Sequence, residues 1–313
     1  MFNEKILNKK LTYILGISGG PDSMFLLDKM YLLGFNFVVA HVNYHKRAES
    51  NQDEELVKKY CQKWNLPFFA YQVQPQEYSQ VKNFQAWARK KRYDFFQQLA
   101  QQKQTKYIIV AHHLDDHLET YLLQKEKKTL VENWGLAPKI PWQNKKKSIY
   151  ILRPLLSLSK EQICQYLHQN NIPYIIDKTN YLPIYQRNIT RQKLIDFPLK
   201  KKELLKEIQL KNQELQKTKL LLKKQIKEVI FNSSLNLEIW QTNSPELKLR
   251  LLYYWVNKNT NNAFVSRKKP IWPEINKQLI SKKRKINIIL SKDYQISKNF
   301  PWAVLKKELS FSK

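Results

Sequence analysis

The segment Ser18-Gly19-Gly20-Pro21-Asp22-Ser23 holds the densest chemistry in this chain. Two successive glycines let consecutive backbone N–H groups turn inward and form a nest for an anion. The apolar run Tyr13 to Ile17 before it reads as a strand, and a helical pattern follows from Ser23. The unpaired N–H groups and positive dipole end of that helix therefore open at the same spot. Ser18 and Ser23 add hydroxyl donors. Asp22 is out of place beside phosphate unless a cation stands between them, which suggests Mg²⁺. Pro21 suits a first helical turn, where its missing N–H costs nothing. A plain strand-to-helix turn would account for the glycines but would leave both serines and the acid unexplained.

Further clusters follow. His41-Val42-Asn43-Tyr44-His45-Lys46-Arg47 ends a second strand, and Arg89 and Arg92 lie in a helical stretch beginning at Asn83. A later strand runs into His112-His113-Leu114-Asp115-Asp116-His117-Leu118-Glu119-Thr120. On a helix starting near Leu114, Asp115 and Glu119 are four apart and share a face, with His112 just before it. The bland alternatives are a solvated arginine face and an acid pair that caps a helix N-terminus. His112 and His113 point to opposite sides in strand geometry, so a zinc site is not expected.

Elements must position these groups. Strands are expected at Tyr13–Ile17, Phe35–His41, Pro67–Val73, Tyr107–Ala111 and Ser148–Leu152. Helices are expected at Ser23–Leu33, Glu49–Trp64, Asn83–Gln102 and Leu114–Leu123. This alternation predicts an α/β, Rossmann-like, five-stranded parallel sheet with helices on both faces. Residues 125–147 are polar and Lys-rich and read as a surface loop. Ser159 caps a further helix running to about Asn170. Leu199 to Ile230 reads as one long amphipathic helix, and the runs 285–290 and 302–305 suggest a small sheet or hairpin. The expected division is 1–198, carrying the clusters above, and 199–313, the long helix plus a small basic domain.

Bulk properties agree with two domains. The chain has 313 residues, and its 42% hydrophobic content excludes a disordered chain. No run approaches the roughly 18 apolar residues of a membrane span, and Met1-Phe2-Asn3-Glu4-Lys5 lacks a signal pattern, so a cytoplasmic protein is expected. Cys61 and Cys164 stand far apart outside any CxxC, which excludes a disulfide framework or zinc ribbon. The net charge of +29 points to a polyanion. An AT-rich coding sequence would also inflate Lys, which supplies 46 of the 55 basic residues. That bias makes the nine arginines more informative, because their fixed donor fork is not copied by Lys. Residues 201–313 carry 25 basic and 9 acidic residues, a net of +16.

The first loop lacks the Gly-Lys-Ser/Thr of an ordinary P-loop and resembles the Ser-Gly-Gly-x-Asp-Ser signature of the PP-loop, or N-type, ATP pyrophosphatases. The His-His-x-Asp-Asp-x-x-Glu-Thr run, then Leu152-Arg153-Pro154-Leu155-Leu156, Asp177-Lys178-Thr179-Asn180 and Arg187-Asn188-Ile189-Thr190-Arg191, extend the likeness. In this order the segments resemble the tRNA(Ile)-lysidine synthase family over roughly residues 11–197.

The resemblance implies an ATP-dependent ligase that joins free L-lysine to C2 of the wobble cytidine in tRNA(Ile) with a CAU anticodon. An adenylated cytidine is the intermediate, and AMP and pyrophosphate are released. It implies that Ser18, Gly19, Gly20, Pro21, Asp22 and Ser23 bind ATP. Asp22, with Asp115 or Asp116, would hold Mg²⁺, and Arg187, Asn188 and Arg191 would handle the tRNA. The amine of lysine, with a pKa of about 10.4, must lose a proton, and Asp116, Glu119 and His112 are equal candidates to take it. Arg89 and Arg92 would hold phosphate or the lysine carboxylate. One departure stands out: the family's Arg-Gly pair after Glu-Thr is replaced by Gln124-Lys125-Glu126-Lys127-Lys128. Rival readings are a PP-loop tRNA thiolase, which needs reactive cysteines, and a non-catalytic basic RNA-binding protein on the same scaffold.

Overall fold

The structure is a computed structural model that describes residues 2–46, 50–127, 130–144, 147–176, 198–261, 263–264 and 271–307. The chain divides into two compact units, Met1–Leu123 with Trp134–Leu205, and Gln124–Asn133 with Lys206–Lys313.

The first unit is built on a sheet of β1 (Thr12–Gly16), β2 (Asn36–Asn43), β3 (Phe68–Gln72), β4 (Tyr107–Ile109), β5 (Lys139–Asn144) and β6 (Lys147–Leu152), in the order β3-β2-β1-β4-β6-β5. Five strands are parallel. Helices α1 (Pro21–Leu32), α2 (Ser50–Lys63), α3 (Phe84–Gln102), α4 (Leu114–Lys127) and α5 (Lys160–Gln169) alternate with them. β1 explains why both faces need covering. Its Tyr13 and Leu15, followed by Ile17, pack with Met24, Val57 and Ile163 of α1, α2 and α5, while Ile14 packs with Tyr93, Phe96 and Leu99 of α3. A buried carboxylate at Asp28 is tolerable because Tyr60 and Tyr166 donate to its two oxygens at 3.1 and 2.6 Å, tying α1, α2 and α5 together.

The five expected parallel strands are present, and a sixth extends the sheet. β5, inside the segment read as a loop, pairs antiparallel with β6. Its Ile140 and Trp142 join the α3-side core, and Trp142 stacks on Tyr93 at 4.2 Å between centroids. Two apolar residues among lysines are too few to show a period, and Pro141 argues for a loop although an edge strand accommodates it.

The second unit contains most of α6 (Pro198–Val229), together with α7 (Leu237–Gln241), α8 (Pro245–Asn259) and α9 (Ile271–Ile280). Its antiparallel sheet comprises β7 (Ile230–Phe231), β8 (Ser234–Asn236), β9 (Lys285–Ile289), β10 (Tyr294–Asn299) and β11 (Trp302–Lys307), ordered β7-β8-β11-β10-β9. The two short runs legible in sequence are thus two strands, β9 and β11, of a five-stranded sheet. Trp240, Trp255, Leu251, Ile296 and Ala303 lie in its core. Lys298 is buried there because its ammonium donates to the carbonyls of Leu279 and Ser281 at 2.8 and 2.7 Å, satisfying the end of α9. Residues 124–133 join this unit: Arg250 holds the Val131 carbonyl, and Lys219 and Lys125 pair with Glu132 and Glu207.

Among the described non-glycine residues with left-handed backbone, four of seven are asparagine. Asn65, Asn171 and Asn261, just beyond α2, α5 and α8, have φ of 50°, 52° and 50°. Among the described residues, no helix is long and apolar enough to cross a membrane.

Candidate active site

Strand order reverses between β1 and β4: from β1 the sheet grows to β2 and β3 on one side, and to β4 and β6 on the other. In open parallel sheets the crevice outside the carboxyl ends at such a reversal is where ligands bind. The loop after β1 and the loop after β4 flank it.

The first loop is shaped by contacts that only its residue types allow. Gly19 has φ +87°, and a Cβ there would stand 3.1 Å from the Asp53 carbonyl oxygen and 3.3 Å from the Asp53 Cα. A side chain is excluded twice, by conformation and by space. Gly20 is the N-cap of α1 and Pro21 its first residue. The buried Ser23 hydroxyl donates to the Gly20 carbonyl at 2.8 Å and accepts from the Ser18 N–H at 3.2 Å. Its one proton is committed, so the exposed Ser18 hydroxyl, 3.2 Å away, donates to it. Ser23 is therefore the tie that closes the loop. His41, buried on β2, anchors the loop from outside through Nδ1 to the Ile17 carbonyl at 2.9 Å. Burial holds the pKa of His41 below the ordinary value.

The acids of α4 face the same crevice as Asp22. His113 is the hub: Nε2 lies 3.7 Å from Asp22 Oδ2 and 3.4 Å from Asp116 Oδ2, and Nδ1 lies 3.4 Å from Asp115 Oδ2. Burial opposes a charge on this ring, but the three carboxylates outweigh it and raise its pKa. Asp115 is fully engaged. Lys201 Nζ reaches Oδ1 at 2.8 Å, and the Lys160 N–H at the start of α5 donates to Oδ2 at 2.9 Å. Burial alone would raise the Asp115 pKa; these donors and His113 bring it well below the usual carboxylate range. Lys160 also reaches across with Nζ to Asp22 Oδ1 at 2.6 Å. Glu119, one turn along α4, is buried.

The surroundings of His112 are basic. Arg153, 2% exposed, donates from Nε to His112 Nδ1 at 3.3 Å and from Nη1 to the Ala137 carbonyl at 2.7 Å. His112 Nδ1 is thus an acceptor, which leaves the proton on Nε2. Burial, with Arg153, Arg89 and Arg92 nearby, takes the His112 pKa down to about 4 against the pull of Asp116. The helix arginines rest on aromatic rings: Arg89 lies 4.8 Å from the Tyr93 centroid, and Arg92 lies 5.9 Å from that of Tyr44.

Of the residues singled out in sequence, Asp22, Asp115 and Asp116 meet around His113, and Arg89 comes within electrostatic reach of His112. Arg187, Asn188 and Arg191 lie outside the described residues. Sequence reasoning missed His113, Arg153, Lys160 and Lys201 as site residues. Lys160 carried one signal, since the Ser159 capping box fixes it as the first residue of α5. Lys201 carried none, lying between Lys200 and Lys202 in a Lys-rich run. Past Thr120, the next glycine, Gly135, has φ +67°, and a Cβ there would stand 2.5 Å from the His117 ring. The turn packs on His117, which accepts the Leu136 N–H at 2.8 Å.

Neither cysteine is poised as a thiolate. Burial pushes the Cys61 thiol up to about 12 and raises that of Cys164.

Comparison with known proteins shows the family. A PP-loop domain model matches residues 1–197. The tRNA(Ile)-lysidine synthase of Mycoplasma mycoides subsp. mycoides is 35% identical over 299 residues, covering 94% of this chain and 73% of that protein. The protein of the same name from Mesomycoplasma hyopneumoniae is 33% identical, covering 96% and 97%. For the Mesoplasma florum protein the match, 38% identical, covers 66% of this chain but about half of the relative, 53%. Among solved structures, the U34-tRNA thiolase NcsA from Methanococcus maripaludis, with its 4Fe-4S cluster, superposes with a TM-score of 0.56 at 13% identity. It covers 68% of this chain and 76% of the other, a likeness of fold.

Proposed function

The chain belongs to the tRNA(Ile)-lysidine synthase family of PP-loop enzymes, and from that premise we propose that it joins free lysine to C2 of the wobble cytidine in an isoleucine tRNA with a CAU anticodon. The observation that carries the proposal is the meeting of Asp22, which follows the Gly19–Gly20 loop, and the α4 acids around His113, with arginines gathered at the adjacent His112.

ATP lays its outer phosphates against the amides of the loop and the N-terminus of α1. The cytidine C2 oxygen attacks the α-phosphate and pyrophosphate leaves; the lysine ε-amine then attacks C2 and AMP leaves. The first step needs charge neutralisation and alignment more than covalent help. Lys160, held on Asp22, is within a side-chain swing of a phosphate in the nest. Arg89, Arg92 and Arg153 supply the fixed positive charge around His112.

Among the described residues no three acids, histidines or cysteines form a ready cage for a metal. Mg²⁺ does not require one, because it keeps waters and takes one or two carboxylates together with substrate phosphates. Asp22 and Asp116 fit that role, with Asp115 committed to Lys201 and Lys160; the ion would neutralise charge developing on the phosphates. For the second step, His112 has no free lone pair to offer, because Nδ1 accepts from Arg153 and Nε2 carries the proton. That leaves the carboxylate of Glu119 as proton acceptor for the incoming amine, with Asp116 taking that role only where it is not on the ion.

Residues 1–198 form the catalytic part in this reading, with Arg187, Asn188 and Arg191 at the anticodon loop, and 199–313 grip the tRNA through their positive charge. The inert environments of Cys61 and Cys164 support ligation over sulfur transfer.

The test is to incubate the protein with ATP, Mg²⁺, labelled lysine and total tRNA. Label entering one isoleucine acceptor, with AMP and pyrophosphate in equal amounts, is the expected outcome. ATP–pyrophosphate exchange without lysine transfer would overturn the ligase reading.

A further inference from the structure

We propose that the outward face of the β7-β8-β11-β10-β9 sheet is a platform for unpaired RNA nucleotides. The proposal rests on the reading of this chain as a tRNA-modifying enzyme and names the surface that would receive single-stranded nucleotides of that RNA.

Register decides which side chains share the face. Lys285, Asn299, Trp302 and Asn236 stand side by side in one cross-strand row. Ser297, Val304, Ser234 and Phe231 form the next. The alternate residues Leu235, Ile288, Ile296 and Ala303 turn the other way into the core. On the outward rows Trp302, Val304 and Phe231 remain 36%, 39% and 47% exposed, and the Trp302 and Phe231 rings lie 6.1 Å apart. Their apolar area stays in water although a sheet needs only one buried face.

Charge narrows the occupant. None of the five strands contains Asp or Glu, and Lys282-Lys283-Arg284-Lys285 leads into β9 at the edge where Trp302 opens β11. Protein interfaces are depleted in lysine, whereas a single-stranded nucleic acid needs what this face supplies. Flat rings stack on bases, ammonium groups meet phosphates, and Asn and Ser side chains reach base edges. In a duplex the base faces are already stacked on one another and cannot use the rings.

Fluorescence anisotropy on the full chain tests this with an eight-nucleotide single-stranded RNA, an RNA duplex of equal charge and an isoleucine tRNA transcript. Trp302→Ala is expected to weaken single-strand binding about tenfold, within the range for loss of one stacked base, and to leave duplex binding within twofold. Trp302→Tyr should restore most of it. Lys285→Gln should reduce the salt slope by about one phosphate contact. Wild-type affinity in Trp302→Ala, with tRNA binding intact in both proteins, overturns the platform alone. If the wild-type protein binds neither RNA nor tRNA, the tRNA-modifying reading falls with it. A dimer that becomes a monomer in Trp302→Ala, read by light scattering, overturns the proposal in favour of self-association.

Discussion

His112 and His113 are adjacent in sequence and opposite in surroundings. One ring accepts a hydrogen bond from a buried guanidinium with two more arginines in reach; the other is enclosed by three carboxylates. Their pKa values are displaced in opposite directions, down to about 4 for His112 and upward for His113. A dipeptide leaving β4 therefore sorts the crevice into a wall for anions and a wall for cations. Phosphoryl chemistry needs both, one to hold the nucleotide and one to hold a metal or an incoming amine.

The comparison is broken most severely by removing charge from the acid wall at the loop. Asp22→Asn should lower ATP–pyrophosphate exchange about 10²–10³-fold. Stability should fall by no more than about 1 kcal/mol, because the Asp22–Lys160 pair is part-exposed. Exchange retained within tenfold would remove Asp22 from the chemistry.

On the basic wall the expected loss is structural. Arg153→Met leaves the Ala137 carbonyl without its buried donor and should cost about 2–4 kcal/mol in denaturant unfolding. It should also raise the His112 pKa from about 4, read by proton NMR of the ring. An unmoved titration would mean that desolvation alone sets that value.

Stability against pH sharpens the contrast further. The folded pKa of His112 lies below its unfolded value of about 6.5, so its contribution is complete above that pH and is lost as pH falls toward 4. His113 is raised, so its contribution is complete below about 6.5 and is lost as pH climbs through its folded pKa. His112→Asn should flatten the acid limb and His113→Asn the neutral-to-alkaline limb, measured by urea unfolding across pH. The same limb changing in both variants would end the two-wall picture.

Further effects follow from the supports. Lys201→Gln should cost about 3 kcal/mol at pH 7, because the pair is buried and the Asp115 charge would be left without its cation. Asp115, with its depressed pKa, contributes stability above about pH 3.9 and loses it as pH falls through the folded value, so the difference should shrink in acid. Cys164→Ser should leave lysine transfer within twofold, whereas a sulfur-transfer enzyme would lose activity.

How much of this was legible depends on scarcity. Gly19, Gly20 and Asp22 stood out because glycine is rare in the chain and an acid beside an anion nest demands explanation. The acid positions on α4 followed from helical spacing. Lys160 and Lys201 were hidden because they are two lysines among 46, and only folding selects which ammonium meets Asp22 or Asp115. The pattern gave the long helix to within a residue at each end. It failed for β5, where two apolar residues sit among lysines, and for β10, where the inward positions include Lys298. A buried lysine satisfied by carbonyls looks in sequence like a surface residue.

The asparagines beyond α2, α5 and α8 bear on the chain before it folds. Each does in the native state what a glycine would do, yet the denatured backbone has fewer conformations to surrender there. Installing glycine at Asn65, Asn171 or Asn261 would enlarge the disordered ensemble, by about 0.4–1 kcal/mol per site, an entropic cost that opposes the strain glycine relieves at positive φ. Sparse glycine thus lowers the entropic cost of folding.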